Sequence, residues 1–148
     1  MTAKDKKLYL QQAYKLNKHI DSLIRERESI QLLRERCMKV TPNYENDGTQ
    51  NGANSNGTEN NLVNYISKLQ EYESEITTDI DKYVDIKRRI KQIIMLVPNH
   101  AEQQILIKRY INFEQWEQIS YEMNYTYRHT LRLHNEAIEK MSLDVTIL

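Results

Sequence analysis

Residues that cross-link a chain or interrupt helices are scarce in this sequence of 148 residues. Cysteine occurs once, at Cys37, so an internal disulfide is excluded and a reducing cytoplasm is the expected location. Proline occurs twice and glycine three times, and all three glycines fall between positions 48 and 57. Outside that short segment the chain holds little that would stop a helix, so long helices are favoured.

Long apolar runs and an excess of one charge are also absent. No segment approaches the ~20 apolar residues needed to cross a bilayer, and the charged N-terminal residues are unlike a signal peptide. We therefore expect a soluble protein with no membrane partner. Lys and Arg total 21, as do Asp and Glu, so the overall charge indicates no partner. Locally, residues 1–40 carry a net charge of +5 and residues 98–148 a net charge of −2.

A polar segment rich in asparagine and glycine, residues 41–61, separates two long stretches with a helical pattern. Its composition predicts a flexible loop. On either side, seam positions recur in steps of four and three, which is typical of the heptads of a coiled coil. In the first stretch, from about residue 4 to 40, these positions are Tyr9, Ala13, Leu16, Ile20, Leu23, Arg27, Ile30, Arg34 and Cys37. In the second, from about residue 61 to 97, they are Leu62, Ile66, Leu69, Glu73, Ile76, Ile80, Tyr83, Lys87, Ile90, Ile94 and Val97.

The pattern predicts that residues 1–97 form a long antiparallel coiled-coil hairpin, with the loop at 41–61 at its tip. Pairing of the same helices between two chains would instead give a homo-oligomer. The sequence does not separate these two arrangements, and both can hold in one assembly. In either case this part is expected to act as a scaffold or an oligomerisation surface.

A second predicted domain, residues 98–148, begins where Pro98 ends the helical hydrogen-bond ladder. Three shorter amphipathic helices are predicted at about residues 99–111, 116–123 and 127–141. Between the last two, Asn124 suits the left-handed conformation of a tight turn, and Thr126 can cap the following helix. Small Ser120 would let a second helix cross closely. The pattern therefore predicts a helix-turn-helix, which presents one helix to the major groove of DNA.

The last of these helices has two predicted faces. The inner face holds Thr130, Leu133, Ala137 and Met141. The outer face and the capping residue supply the DNA-binding candidates, which are Thr126, Tyr127, Arg128, Leu131, Arg132 and Asn135. Arginine pairs with guanine, asparagine pairs with adenine, leucine can touch a thymine methyl group, and a helix start can bind phosphate. The alternative is that the arginines are solvated residues on a protein-binding helix.

Other chemistry has no support in the pattern. His129 and His134 are five residues apart and do not share a helical face. No Cys–His or His–carboxylate spacing indicates a metal site, and there is no glycine-rich phosphate loop. No nucleophile stands beside a base in a supporting context. We therefore expect neither an enzyme nor a bound metal or cofactor.

Three motifs in the C-terminal part support a family resemblance: Leu106-Ile107-Lys108-Arg109-Tyr110, Trp116-Glu117-Gln118-Ile119 and Tyr125-Thr126-Tyr127-Arg128. With them, residues 105–141 resemble region four of bacterial sigma factors. The C-terminal part is also similar to phage late-transcription regulators of the ArpU/RinA type and related phage proteins. The matching positions are Arg109-Tyr110, Trp116, Tyr125-Thr126, Arg132-Leu133-His134 and Ala137-Ile138. The resemblance implies promoter recognition in the major groove, and it implies RNA polymerase as a further partner.

The sequence thus predicts an all-α protein of phage or prophage origin that binds double-stranded DNA and regulates transcription. Two alternatives stay open. A DNA-packaging recognition subunit would combine the same helix-turn-helix with coils that form a ring. A protein-only adaptor would bind RNA polymerase without touching DNA. The net charge of −2 over residues 98–148 favours the adaptor, because DNA-binding surfaces are usually basic.

Overall fold

The computed structural model describes residues 1–39 and 55–143, with side chains in the second range from residue 59 onward. Every regular element in these ranges is helical, which confirms the predicted all-α class. In chain order they are α1 (Ala3–Leu10), α2 (Gln12–Lys39), α3 (Ser55–Met95), α4 (His100–Leu106), a π-helical turn (Ile107–Ile111), α5 (Trp116–Glu122) and α6 (Tyr127–Lys140). None of these helices is both long and apolar enough to cross a membrane.

The start of the chain differs from the single helix that the sequence predicted. Thr2 caps α1, because its hydroxyl accepts from the Asp5 backbone and its own N–H donates to the Asp5 carboxylate at 2.9 Å. The hydrogen bonds from Thr2 lower the pKa of Asp5. A turn at Gln11 then separates α1 from α2.

The second long helix, α3, begins at Ser55, inside the segment predicted as a flexible loop. Once a helix is nucleated, each added residue costs little and gains a hydrogen bond, so polar residues can extend it. Residues 40–54 of the chain, which include most of the predicted loop, lie outside the described residues.

One compact unit, His19–Ile80, is built from parts of α2 and α3. Within it His19 lies next to Asp79, and Glu26 hydrogen-bonds to Tyr72. These contacts run in opposite order along the two helices, as in an antiparallel pair. A regular coiled-coil hairpin, closed within one chain or between two, stays a prediction.

The predicted heptad seam is right on α2 and wrong at three positions on α3, which are Ile66, Glu73 and Ile80. On α2 every described seam position is buried or half-buried. On α3 the predicted seam residues Ile66 and Ile80 are 40% and 42% exposed. Tyr65 and Asp79, each one residue earlier, are half-buried and buried instead. Aliphatic residues occur both at the predicted seam positions of α3 and one residue away from them. The spacing alone does not show which polar side chains, once buried, will find a hydrogen-bond partner.

The other compact unit combines Met1–Lys18 with the chain from Asp81 onward. Its hydrophobic core draws on residues from both sides of the predicted domain boundary at residue 98. The buried members are Leu10, Ala13, Ile90, Ile93, Ile94, Val97, Leu106, Tyr110, Ala137, Ile138 and Met141. The helices after residue 98 are short and do not bury their apolar faces by themselves. Residues of α1, of the start of α2 and of the end of α3 pack against these faces. The segment formed by α5, the turn and α6 is therefore one part of a larger packing unit.

Candidate nucleic-acid interface

Helices α5 and α6 cross at a pair of small polar side chains. The Ser120 hydroxyl donates to the Thr130 hydroxyl at 3.0 Å, and Thr130 donates to the Thr126 carbonyl oxygen at 3.1 Å. Ser120 Oγ also lies 2.8 Å from the Trp116 carbonyl oxygen. Both hydroxyl-bearing residues are buried with partners, so the helices approach closely without an energetic penalty from these groups. The predicted crossing at Ser120 is confirmed.

The turn between the two helices bends at Asn124, whose φ of 56° lies in the left-handed region. The backbone N–H of Tyr125 closes the turn by donating to the Ser120 carbonyl oxygen at 3.0 Å. Thr126 then caps α6, since its hydroxyl accepts from the backbone N–H of His129 at 3.2 Å. The sequence predicted both the bend and the cap, and both are confirmed.

The inner face of α6 differs from the predicted one at His134, Ile138 and Leu133. Its buried residues are Thr130, His134, Ala137 and Ile138. Leu133, which was expected to be buried, is half-buried. The His134 ring points towards the core, where it packs against two aromatic side chains.

Tyr110 and Trp116 hold His134. The His134 Nε2 lies 2.8 Å from the Tyr110 hydroxyl oxygen, and the Trp116 ring packs edge-on with 4.8 Å between ring centroids. Burial raises the pKa of Tyr110 to about 12, so we assign the phenol as donor to Nε2. Burial, followed by the positive charge of Lys7, lowers the pKa of His134 to about 4. At neutral pH His134 is thus an uncharged core residue and adds no charge to a DNA contact.

The outer face of α6 is open over its first two turns. Tyr127 is 47% exposed, and Arg128 is exposed as well. The Arg132 side chain is 65% exposed and lies along the helix surface between two neighbours. One of its guanidinium nitrogens is 3.0 Å from His129 Nδ1, and its Nε is 3.8 Å from the Glu136 carboxylate. Both arginines therefore face solvent, as the sequence predicted.

The last turns of α6 are flanked by α1. Lys6 Nζ donates to the carbonyl oxygens of Ile138 and Glu139 at 3.0 and 3.1 Å. Lys7 Nζ donates to Asn135 Oδ1 at 3.1 Å. Because this oxygen already accepts a hydrogen bond from Lys7, Asn135 could pair with adenine only by sharing the oxygen with Lys7 or by releasing it.

The structure thus brings most of the predicted DNA-binding residues together. Five of them lie at the cap or in the first two turns of α6: Thr126, Tyr127, Arg128, Leu131 and Arg132. Leu131 is half-buried and the other four are exposed. Asn135 lies one turn further along, beside α1.

Two basic residues ahead of α5 have structural partners. The Arg109 guanidinium stacks over the Trp116 ring at 4.8 Å and donates to the Glu114 carbonyl oxygen at 2.9 Å. Lys108 pairs with Glu122 and lies 3.8 Å from the Glu114 carboxylate. The hydrogen bond between Lys108 and Glu122 raises the pKa of the lysine and lowers that of the carboxylate. The contacts of Lys108 and Arg109 stabilise the segment that connects the π-helical turn to α5.

The charge of the packing unit differs from that of its C-terminal part. Residues 1–18 hold five basic and one acidic group, residues 81–97 five and two, and residues 98–148 five and seven. The unit thus holds fifteen basic and ten acidic groups, a net charge of +5. By the same count residues 19–80 hold six basic and eleven acidic groups, a net charge of −5. The net charge of −2, which favoured a protein-only adaptor, is therefore that of residues 98–148 alone and not of the whole packing unit.

Sequence reasoning missed the contribution of α1 to this surface. The available signal was the cluster of Lys4, Lys6 and Lys7, but nothing in its spacing connects it to a helix more than 120 residues later. Three further basic residues, Arg88, Arg89 and Lys91, are exposed on α3.

Comparison of the chain with protein-family models, curated proteins and solved structures gave no match.

Proposed function

We propose that this chain binds double-stranded DNA in a sequence-specific manner and regulates transcription, with α6 lying in the major groove. The bend at Asn124 carries this proposal, because it separates α6 from α5 and leaves Arg128 and Arg132 facing solvent. A helix about 10–12 Å in diameter fits the major groove, which is about 12 Å wide. Two short helices joined by a tight turn, with an exposed face on the second, are the parts of a helix-turn-helix, and this supports the proposal.

The residues of α6 divide into base and phosphate contacts. Arg128 and Arg132 are each suited to pair with the two acceptors of a guanine, and Leu131 to contact a thymine methyl group. Thr126 and Tyr127, at the exposed start of the helix, are suited to donate to a phosphate. Asn135 retains its predicted pairing with adenine, in competition with Lys7.

The charge distribution supports DNA as the partner. The unit that contains α6 carries a net charge of +5, although residues 98–148 alone carry −2. Lys7 lies beside the reading face, where its ammonium group can reach a phosphate when it leaves Asn135. Phosphate contacts release counterions, so binding should weaken steeply as salt is raised.

Selection of bound fragments from random DNA, followed by titration of variants, tests the proposal. We expect a consensus to emerge from the selection. Arg128→Ala and Arg132→Ala should each weaken binding to that consensus by about 5- to 150-fold, or about 1–3 kcal/mol. Arg25→Ala is the matched control, because this arginine is exposed on α2 in the unit with net charge −5.

Two results would contradict the site assignment. One is wild-type affinity in both α6 variants, and the other is an equal loss in Arg25→Ala. The symmetry of the consensus adds information on assembly, because a dimer would select two half-sites in inverted orientation.

A protein-only adaptor is the second candidate function, and one exposed aromatic residue favours it. Tyr121 on α5 is 84% exposed, and an exposed tyrosine is a common anchor of protein interfaces. RNA polymerase is the partner that the sigma-like pattern implies. Failure to bind DNA fragments at low salt, together with capture of purified polymerase that is lost in Tyr121→Ala, would favour the adaptor.

A further inference from the structure

Three side chains that can bind a metal converge within the unit formed by residues 19–80. They are His19 on α2 and Glu75 and Asp79 on α3. His19 Nε2 lies 3.4 Å from Asp79 Oδ2 and 3.8 Å from Glu75 Oε1. One ligand atom from each of the three residues lies within 4.8 Å of the others. We propose that these residues form a binding site for a divalent transition-metal ion of the zinc class.

The spacing of the ligand atoms suits such an ion. Zinc binds imidazole nitrogen and carboxylate oxygen at about 2.0–2.2 Å, so ligand atoms around a tetrahedral ion are about 3.3–3.6 Å apart. The contact between His19 and Asp79 already has this length, and Glu75 needs only a small side-chain movement. The fourth position faces solvent, because the side chains of His19 and Glu75 are each 54% exposed.

The backbone holds the three ligands in place. Glu75 and Asp79 are four residues apart on α3 and share one helical face. Ile76, on the same turn, is 5% exposed, and on α2 the residue after His19, Ile20, is also 5% exposed. The ligands therefore project from well-packed helix turns, which reduces the entropy lost on binding.

Electrostatics favours a cation at this point. Asp79 is a carboxylate with only 10% side-chain exposure, and a second carboxylate from Glu75 lies close by. A divalent ion between them would offset their mutual repulsion. The unit carries a net charge of −5, which raises the local concentration of cations.

The ligand set selects the class of ion. The imidazole nitrogen favours zinc and neighbouring transition metals over magnesium. Calcium requires six to eight oxygen ligands, more than two carboxylates supply. An ion at this site would join α2 to α3 and so stabilise their pairing.

Calorimetric titration of untagged, metal-free full-length protein with zinc chloride tests the site. We expect one equivalent of zinc to bind, with at least tenfold weaker binding in His19→Ala and in Glu75→Gln. Both residues are exposed, and circular dichroism would confirm that the variants keep their helices. His100→Ala, which removes an exposed histidine of the other unit, should bind zinc as wild type does.

Thermal unfolding gives an independent readout. Because an ion that binds only the folded state raises its stability, zinc should raise the melting temperature of wild type by several degrees relative to a chelator. The rise should vanish in His19→Ala. Absence of zinc binding, or equal affinity in wild type and His19→Ala, would refute the site. Equal affinity for magnesium and zinc would refute the assigned class of ion.

Discussion

At the scale of single residues, His134 shows how burial changes the role of a side chain. On α6 it lies two residues from Arg132, yet it points to the opposite side, against Tyr110 and Trp116. A protonated imidazole there would lack hydration and would lie near the positive charges of Lys7 and Arg109. These surroundings therefore favour the neutral form of the side chain.

This environment predicts a loss of stability in acid. Because the pKa of His134 is lowered from 6.5 to about 4, the unfolded state takes up a proton first as the pH falls. The contribution of His134 is complete above about pH 6.5 and decreases towards pH 4, by at most about 3 kcal/mol. Urea unfolding at several pH values would measure this slope. In His134→Gln, whose amide can still accept a hydrogen bond from Tyr110, the free energy of unfolding should change less over the same pH range. If the slope in this variant equals that of wild type, another group causes the pH dependence.

At the scale of elements, the turn between α5 and α6 depends on one backbone conformation. Asn124 has a φ of 56°, and this region costs most residues with a Cβ atom about 1–2 kcal/mol. Asn124→Gly should therefore retain or slightly raise the free energy of unfolding, whereas Asn124→Val should lower it by about 1–2 kcal/mol or more. Denaturant titration compares the two variants. A valine variant as stable as wild type would show that the turn is not under this constraint.

The long helices show how far an apolar repeat specifies packing. On α2 the predicted seam is buried or half-buried, and the apolar residues Leu32 and Met38, which lie off the seam, are exposed. On α3 two phases compete, and the structure buries Tyr65 and Tyr72 in part while Ile66 stays exposed. Tyr72 can be half-buried between the helices because its hydroxyl hydrogen-bonds to Glu26. These two residues are far apart in sequence, so the apolar spacing of one helix does not predict this contact.

At the scale of the whole molecule, the packing unit joins the first helices of the chain to the helical segments that follow residue 81. Leu10 and Ala13 lie in the same core as Leu106 and Ile138, so residues 98–148 do not carry a complete core of their own. Lys6 also binds carbonyl oxygens at the end of α6. The boundary of the unit that contains α6 is therefore set by packing and does not coincide with Pro98.

A fragment of residues 98–148 should accordingly be poorly folded, because it lacks the buried side chains of α1, α2 and α3. Circular dichroism during heating would show weak helicity without a cooperative transition. A fragment of residues 81–148 should gain helicity when a peptide of residues 1–18 is added, and the same peptide with Leu10→Ala should be less effective. Cooperative melting of fragment 98–148 at the temperature of the full chain would contradict this expectation.

The division of charge also emerges only at this scale. The sequence as a whole has no net charge, but the folded units carry +5 and −5. The positive unit contains the proposed DNA-reading helix, and the negative unit contains the proposed metal site. Residues that are neighbours in one unit, such as Lys7 and Asn135, are distant in the sequence.

The sequence by itself determined the helical class, the turn at Asn124, the cap at Thr126 and the outward direction of Arg128 and Arg132. These features depend on local backbone preferences and on spacing within one helix. The tertiary structure decided the phase of the α3 seam, the burial of His134, the packing of α1 beside α6 and the approach of His19 to Glu75 and Asp79. Each of these is a contact between helices, and its energy depends on side chains that no local pattern brings together.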